Sequence, residues 1–256
     1  MNDKITEIDF SNIFVIIPLI LVFSAIIFVR YLAFSGVYHW VFLNKFREKL
    51  KHRILNKKPL KKKQVRKEIY WSLVSGFIFG AIAVFIYYLW SINYTAIYLD
   101  FDTYALWYIP LSIFAFLFIQ DTYYYWIHRW MHIPKIYKFF HKIHHKSVNT
   151  TVFTAFSFHP YETILQAIFL PVIVIFLPLH LYALFAVLLI MTLSATINHA
   201  GIEVYPSGKL GNWFRKWIIG ATHHDSHHTK FNFNYGLYFT FWDRLMKTEL
   251  EEKSPK

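Results

Sequence analysis

Long uncharged stretches dominate the hydrophobic pattern of this chain, separated by short segments in which nearly all of the charge is collected. The first runs from about Phe10 to Phe34 and the second from about Ile69 to Trp90. A third begins near Tyr104 and reaches Gln120 and Asp121. Each reaches or approaches the roughly 20 residues that a helix needs to cross the hydrocarbon of a bilayer, and helices satisfy their own backbone there. The stretch from Thr163 to Ile202 is about twice as long as one crossing requires. Pro171 and Pro178 fall inside it, and proline breaks or kinks a helix, so the stretch reads as a hairpin that goes out and back. The expected fold is all-α: a polytopic membrane helical bundle of three spans plus a helical hairpin, forming one domain over residues 1–256. No internal repeat or flexible linker divides it.

Composition supports lipid as part of the solvent, with 56% hydrophobic and 21% aromatic residues. Charge then orients the bundle. The net charge of +12 is concentrated between Lys45 and Lys67, where Lys45, Arg47, Lys49, Lys51, Arg53, Lys57, Lys58, Lys61, Lys62, Lys63, Arg66 and Lys67 follow one another. Short basic loops stay on the cytoplasmic side. The segment carrying Asp3, Glu7 and Asp9 lacks the basic start of a cleavable signal peptide, so the first span is expected to be an anchor with its N-terminus outside. The loop is confined between two spans, which makes nucleic acid an unsuitable partner, although anionic headgroups would suit it. In this topology residues 131–162 and the tail after Glu203 lie in the cytosol as a histidine-rich helical cap.

That cap is where the chemistry is expected. The chain has 14 histidines and no cysteine, so any metal must be held by nitrogen and oxygen. In HRWMH, His128 and His132 are four residues apart, on one face of a helix continuing the third span. Asp121 lies seven residues earlier on that face, placed to accept a hydrogen bond from a ligating ring. In HKIHH, His141, His144 and His145 have i, i+3, i+4 spacing, which covers about 100° of a helix. His224, His227 and His228 repeat the spacing in HHDSHH. Neighbouring histidines in this pattern can address two adjacent metals, and about eight imidazoles exceed the four positions of a structural zinc site. Imidazole suits iron, zinc, copper and nickel alike.

HRWMH, HKIHH and HHDSHH, in this order among membrane spans, resemble the fatty acid hydroxylase and sterol desaturase superfamily of membrane di-iron oxidases. The resemblance covers residues 104–248, the expected catalytic region. FHPYE (Phe158–Glu162), NHAG (Asn198–Gly201) and FNFNYGLYFTFWDR (Phe231–Arg244) add to it, and the last is most similar to sterol C5-desaturases. The resemblance implies two iron ions that activate O2, with an external donor supplying electrons, for hydroxylation or desaturation of a membrane lipid such as a sterol or fatty acyl chain. By matching motifs the ligands are His128, His132, His141, His144, His145, His224, His227 and His228, with His199 of NHAG as a ninth. His159 and His223 are further candidates, and Glu203, one helical turn beyond His199, is a candidate further ligand or partner. Asp121, Glu162 and Asp225 are candidates to hold ligating rings, because such rings usually pass their other N–H to a carboxylate or carbonyl. His39, His52 and His180 fit no site.

No flavin, nicotinamide or haem motif is present in the sequence, and HPYE at His159 is not the HPGG-type haem motif. Electrons are therefore expected from a separate protein of ferredoxin or cytochrome b5 type, with the basic loop as a docking candidate. The aromatic run from Tyr235 to Trp242 is a candidate lining for lateral lipid entry. Two other readings keep the metals: a zinc-dependent membrane lipid hydrolase, and a non-enzymatic metal carrier or sensor, which would place ligands along a path across the bilayer.

Overall fold

The computed structural model describes residues 8–56 and 60–250. Asp3, Glu7, Lys57 and Lys58 of the sequence reading lie outside those residues. The chain is a bundle of helices. α1 (Ile13–Tyr38) is followed by the one-turn α2 (Arg47–Leu50), then α3 (Lys62–Ser91) and α4 (Tyr108–Met131). α5 (Pro134–Phe140), α6 (Pro160–Ala167), α7 (Phe169–Phe176) and α8 (Leu181–His199) come next, and α9 (Gly208–Trp217), α10 (Ala221–Lys230) and α11 (Phe241–Leu245) complete the order. Three helical segments are long and apolar enough to cross a membrane: Ile13–Lys45, Lys62–Ser91 and Leu181–His199.

α1 begins where the Asn12 side chain accepts from the Phe14 N–H, satisfying one of the donors that a helix start leaves open. Ser24, Tyr31, Ser35 and Tyr38 form its buried stripe, whereas Phe14, Ile17 and Leu21 are exposed to the surroundings. The stripe packs on α3 at very short range. A Cβ on Gly80 would collide with the Ser24 side chain and backbone, so the glycine sets how closely these two helices approach.

The expected third span, α4, and the first limb of the expected hairpin are not among these three segments. α4 has 24 residues, about 36 Å of helix, but its last turns carry Asp121, His128 and Arg129 and form part of the site. The first limb of the hairpin is not one helix. α6 ends at Ala167 and α7 starts at Phe169, because Pro171 has no N–H to offer the Ala167 carbonyl. Together the two pieces span only about 26 Å. Residues Ile86, Phe116, Phe169, Val174, Leu179 and Val187 form the apolar core between this limb, α3, α4 and α8.

Each end of the bundle is tied differently. At one end β1 (Ile97–Tyr98) pairs in parallel with β2 (Leu179–His180), joining the α3–α4 connection to the apex of the hairpin. His180 is buried there and its Nε2–H donates to the Leu99 carbonyl at 2.8 Å. At the other end, the irregular segment 147–156 is pinned between α1 and α3. Tyr31 and Ser35 donate to the carbonyls of Phe153 and Val152. Glu68, on α3 and 2% exposed, accepts from Ser147 Oγ at 2.6 Å, Thr151 Oγ1 at 2.6 Å, Thr154 Oγ1 at 3.0 Å and Gln64 Nε2 at 2.8 Å.

Hydrogen bonds to a carboxylate contribute about 1.5–3 kcal/mol each, and removing the acceptor leaves three hydroxyls buried. Glu68→Ala is expected to destabilise the protein by about 3 kcal/mol, lowering the thermal midpoint in detergent by about 6–12 °C. A midpoint within a degree or two of the wild type would show that segment 147–156 is held in place without Glu68.

Candidate metal centre

Four separate segments deliver histidines to one place. His128 sits in the last turn of α4 and His132 directly follows the helix. His141 caps α5, and His144 and His145 lie in a 3-10 turn. The second cluster is therefore not an α-helical face as its spacing suggested: α5 stops at Phe140 and the chain tightens after it. His199 is the last residue of α8, and His224, His227 and His228 lie on α10, which is helical as expected.

These nine side chains form two nests. In the first, ligand atoms of His128, His132, His141, His145 and His227 lie within 4.8 Å of one another; in the second, His144, His199, His224 and His228 do. The clusters are shared between the nests. His144 and His145 are sequence neighbours with rings at 87°, and each enters a different nest. His227 and His228, at 85°, divide in the same way.

Hydrogen bonds at the outer ring nitrogen decide the chemistry of the inner one. Nδ1–H of His128 donates to the Tyr235 carbonyl at 2.8 Å, and that of His227 to the Phe233 carbonyl at 2.7 Å. His199 Nδ1–H donates to the Ala195 carbonyl at 2.8 Å and His144 Nδ1–H to the Ser157 carbonyl at 3.3 Å. A carbonyl only accepts, so the proton is on Nδ1 and Nε2 carries a lone pair. His144 Nε2 and His199 Nε2 nevertheless face each other at 3.2 Å. Two lone pairs at that distance repel unless a cation lies between them. The pairs His128–His141, His145–His227 and His199–His224 stand Nε2 to Nε2 at 2.9, 3.0 and 2.9 Å. Two imidazoles on one ion, with bonds of about 2.1 Å at roughly right angles, have their nitrogens about 3.0 Å apart. The nests thus fit metal ions.

Burial keeps these rings in the neutral state that metal binding needs. It holds His141, His144, His145, His224 and His228 well below the ordinary imidazole range, with neighbouring histidines adding to the effect. Burial and then His227 push His132 down to about 2. His227 falls to about 4, again through burial. Among the nine, only His132 is more than marginally exposed. It lines a cavity of about 350 Å³ together with Trp126, Arg129, Trp130, Ile133 and Tyr235, which gives the first nest its opening.

The carboxylates do different work. Glu162 is buried and accepts from His141 Nδ1 at 2.8 Å. Asp121 does not meet a histidine ring, contrary to the expectation from its position on the face of His128. Its Oδ1 takes the backbone N–H groups of Leu237, Tyr238 and Phe239 at 3.0, 2.7 and 3.2 Å. Asp225 lies on α10 between His224 and His228 and is half-buried. Glu203 joins neither nest. α8 ends at His199, so Glu203 is not one turn further along that helix; it accepts from Tyr205 N, Thr222 N and Thr222 Oγ1 and closes the start of α10. Asp243 was not singled out in the sequence. It accepts from the N–H groups of Tyr235 and Gly236, both at 2.8 Å, and from Thr248 Oγ1. Asp121 and Asp243 together grip the loop whose Tyr235 carbonyl orients His128.

His159 and His223 are outside both nests: His159 caps α6 by accepting from Tyr161 N, and His223 Nε2 is 3.8 Å from Asp243 Oδ2. His39, His52 and His180 also belong to neither.

A model of the fatty acid hydroxylase family matches residues 113–248. Among curated proteins, the chain is 31% identical over 196 residues to human lathosterol oxidase, a match that takes in 76% of this chain and 64% of that protein. It is 33% identical over 147 residues to the Delta(7)-sterol 5(6)-desaturase of Saccharomyces cerevisiae, covering 57% of this chain and 38% of the yeast protein. A Delta(7)-sterol 5(6)-desaturase of Gibberella zeae is 34% identical over 154 residues, with 59% and 45% covered. The chain therefore spans less than two thirds of the length of these relatives. No solved structure matches it.

The neutral rings carry a pH consequence. The folded values of His132, His223 and His227, about 2, 3 and 4, lie below the roughly 6.5 of the unfolded chain, so unfolding takes up protons as the pH falls. The stability held by neutral histidine is complete above about pH 6.5 and is lost progressively below it. Metal-free protein should lose thermal stability steeply between about pH 6.5 and 5. A midpoint unchanged across that interval would contradict the buried, neutral state.

Proposed function

The chain belongs to the fatty acid hydroxylase family, and from that premise we propose that it is a membrane di-iron oxidase that uses O2 to hydroxylate or desaturate a membrane lipid of the sterol class. The observation that supports this most directly is the pair of nests, one of five and one of four converging imidazoles. Five imidazoles in one nest exceed the three protein ligands of a catalytic zinc centre and the four of a structural one, which argues against zinc hydrolysis. Clustering at one end of the bundle argues against a transport path.

Iron bound in the nests would supply the reduction of O2 that makes an unactivated C–H bond reactive. The chain's own contribution is position and exclusion. Carbonyls of Tyr235, Phe233, Ala195 and Ser157 and the Glu162 carboxylate orient the rings, and burial keeps bulk water from eight of the nine. The opening at His132 is lined by Trp126, Trp130, Ile133 and Tyr235, an apolar wall suited to a lipid ring system, with Arg129 available to a polar substituent. Residues 131–162 and the tail are cytosolic in this proposal, and electrons arrive from a separate ferredoxin or cytochrome b5 type protein. The basic loop between α1 and α3 supports both, through the retention of positive loops in the cytosol and the attraction of an acidic donor.

Cells expressing the wild type, His228→Ala or His52→Ala would be grown under 18O2 and their lipids compared by mass spectrometry. A labelled or newly unsaturated lipid should accumulate with the wild type and His52→Ala and be absent with His228→Ala. Identical lipidomes together with purified protein devoid of iron would sink the proposal. Purified wild type should hold two irons per chain, and His132→Ala or His224→Ala should each retain about one. Glu162→Ala should lower turnover or iron affinity by about 10–100-fold, the range seen when a ligating histidine loses its outer partner.

A further inference from the structure

α9 is too short to cross a bilayer. It has ten residues, about 15 Å, and its sequence separates two kinds of surface. Gly211 is buried and Phe214 stacks on Tyr205, fixing one side to the protein. Leu210, Trp213 and Trp217 are 60%, 55% and 44% exposed, although their i, i+3, i+7 spacing puts them within an arc of about 60°. Lys209, Lys216 and Asn212 follow around the helix at about 70°, 90° and 130° from the centre of that arc and are exposed.

The exposed stripe continues beyond α9. Thr240 N and Oγ1 donate to the carbonyls of Trp217 and Lys216, which brings α11 alongside. Phe241 and Leu245 of α11 are themselves exposed. Phe241 then meets Phe118 of α4 at 5.5 Å between ring centres, and Phe239 meets Phe114 and Phe118. Phe114 is 56% exposed on the outer side of α4, within its apolar part. The patch on α9 and α11 is thus continuous with the exposed apolar side of α4. Lys216 Nζ and the Arg244 guanidinium both lie over the Trp217 ring, at 5.1 and 5.4 Å.

From this continuity we infer that α9 and α11 form an in-plane membrane anchor, with Leu210, Trp213, Trp217, Phe241 and Leu245 set into the bilayer interface and Lys209 and Lys216 among the headgroups. Tryptophan with flanking cations is the composition that favours this depth. The helices are bonded to the loop that carries the Tyr235 carbonyl, so the interface also fixes the height of the histidine nests above the hydrocarbon. The inference rests on the chain being a membrane protein and not on the identity of its metal or substrate.

The chain contains no cysteine, so single cysteines can be introduced without background. L210C, W213C, W217C, N212C and K216C would be spin-labelled in the full chain and reconstituted into phosphatidylcholine/phosphatidylglycerol vesicles. Accessibility to a water-soluble nickel chelate should be at least about fivefold lower at 210, 213 and 217 than at 212 and 216, with the opposite order for dissolved O2. Equal chelate access at all five positions would overturn the inference. So would protection that disappears on raising the lipid-to-protein ratio, because a second copy would then be the occupant. A measurement without labels guards against misfolded variants: lipids brominated near the headgroup should quench the tryptophan fluorescence of the wild type more than that of W213F/W217F. Equal quenching of the two would also count against the anchor.

Discussion

The structure depends on the hydrogen bonds made at the outer edge of five of the nine histidine rings. Where Nδ1–H donates to a backbone carbonyl, as at His128, His144, His199 and His227, the tautomer is fixed and the inner lone pair cannot turn away. The inner nitrogens then stand about 3 Å apart with no proton between His144 and His199. Such a packing costs energy in an empty protein and is relieved by a cation. Elements that look remote from the centre serve this geometry. The 231–240 loop provides two of the four carbonyls, α8 provides one, and the segment pinned by Glu68 leads to the fourth.

Buried carboxylates recur as fasteners of irregular backbone. Glu68 gathers the hydroxyls of 147–154, Glu203 closes the start of α10, and Asp121 and Asp243 divide the N–H groups of 235–239 between them. Each satisfies donors that neither helix nor sheet would satisfy, and an unpaired donor at such depth is costly. Glu162 touches a histidine of the nests directly. The acidic residues therefore act mostly one step behind the rings, holding the chain that holds the carbonyl.

Much of this was legible in the sequence because two periodicities are strong. Uncharged runs mark membrane helices, and the spacing of His224, His227 and His228 marks a helical face; α10 has that form. The nine histidines named from their motifs are the nine that the fold brings together. What escaped depends on contacts between distant segments. Spacing alone gave His141, His144 and His145 a helix, whereas Phe140 ends α5 and a tighter turn follows. Asp121 shares a helical face with His128, yet the 237–239 loop reaches it first. Nothing in the sequence assigns a role to Asp243 or Glu68, since an acid beside a basic residue looks the same whether it binds backbone, hydroxyls or a cation.

The division of His144 from His145, and of His227 from His228, has a mechanical meaning. Adjacent Cα atoms are about 3.8 Å apart, a distance fixed by covalent geometry rather than by packing. Twice over, the two nests are therefore joined by a single peptide unit, and these links act as a pair of rigid rulers. A breathing motion of the bundle can widen the opening at His132 or tilt α4, but it can part the two nests only as far as rotation of these four side chains allows. The backbone thus bounds the separation between the centres, which leaves the surrounding helices free to differ in sequence and in the shape of cargo they admit.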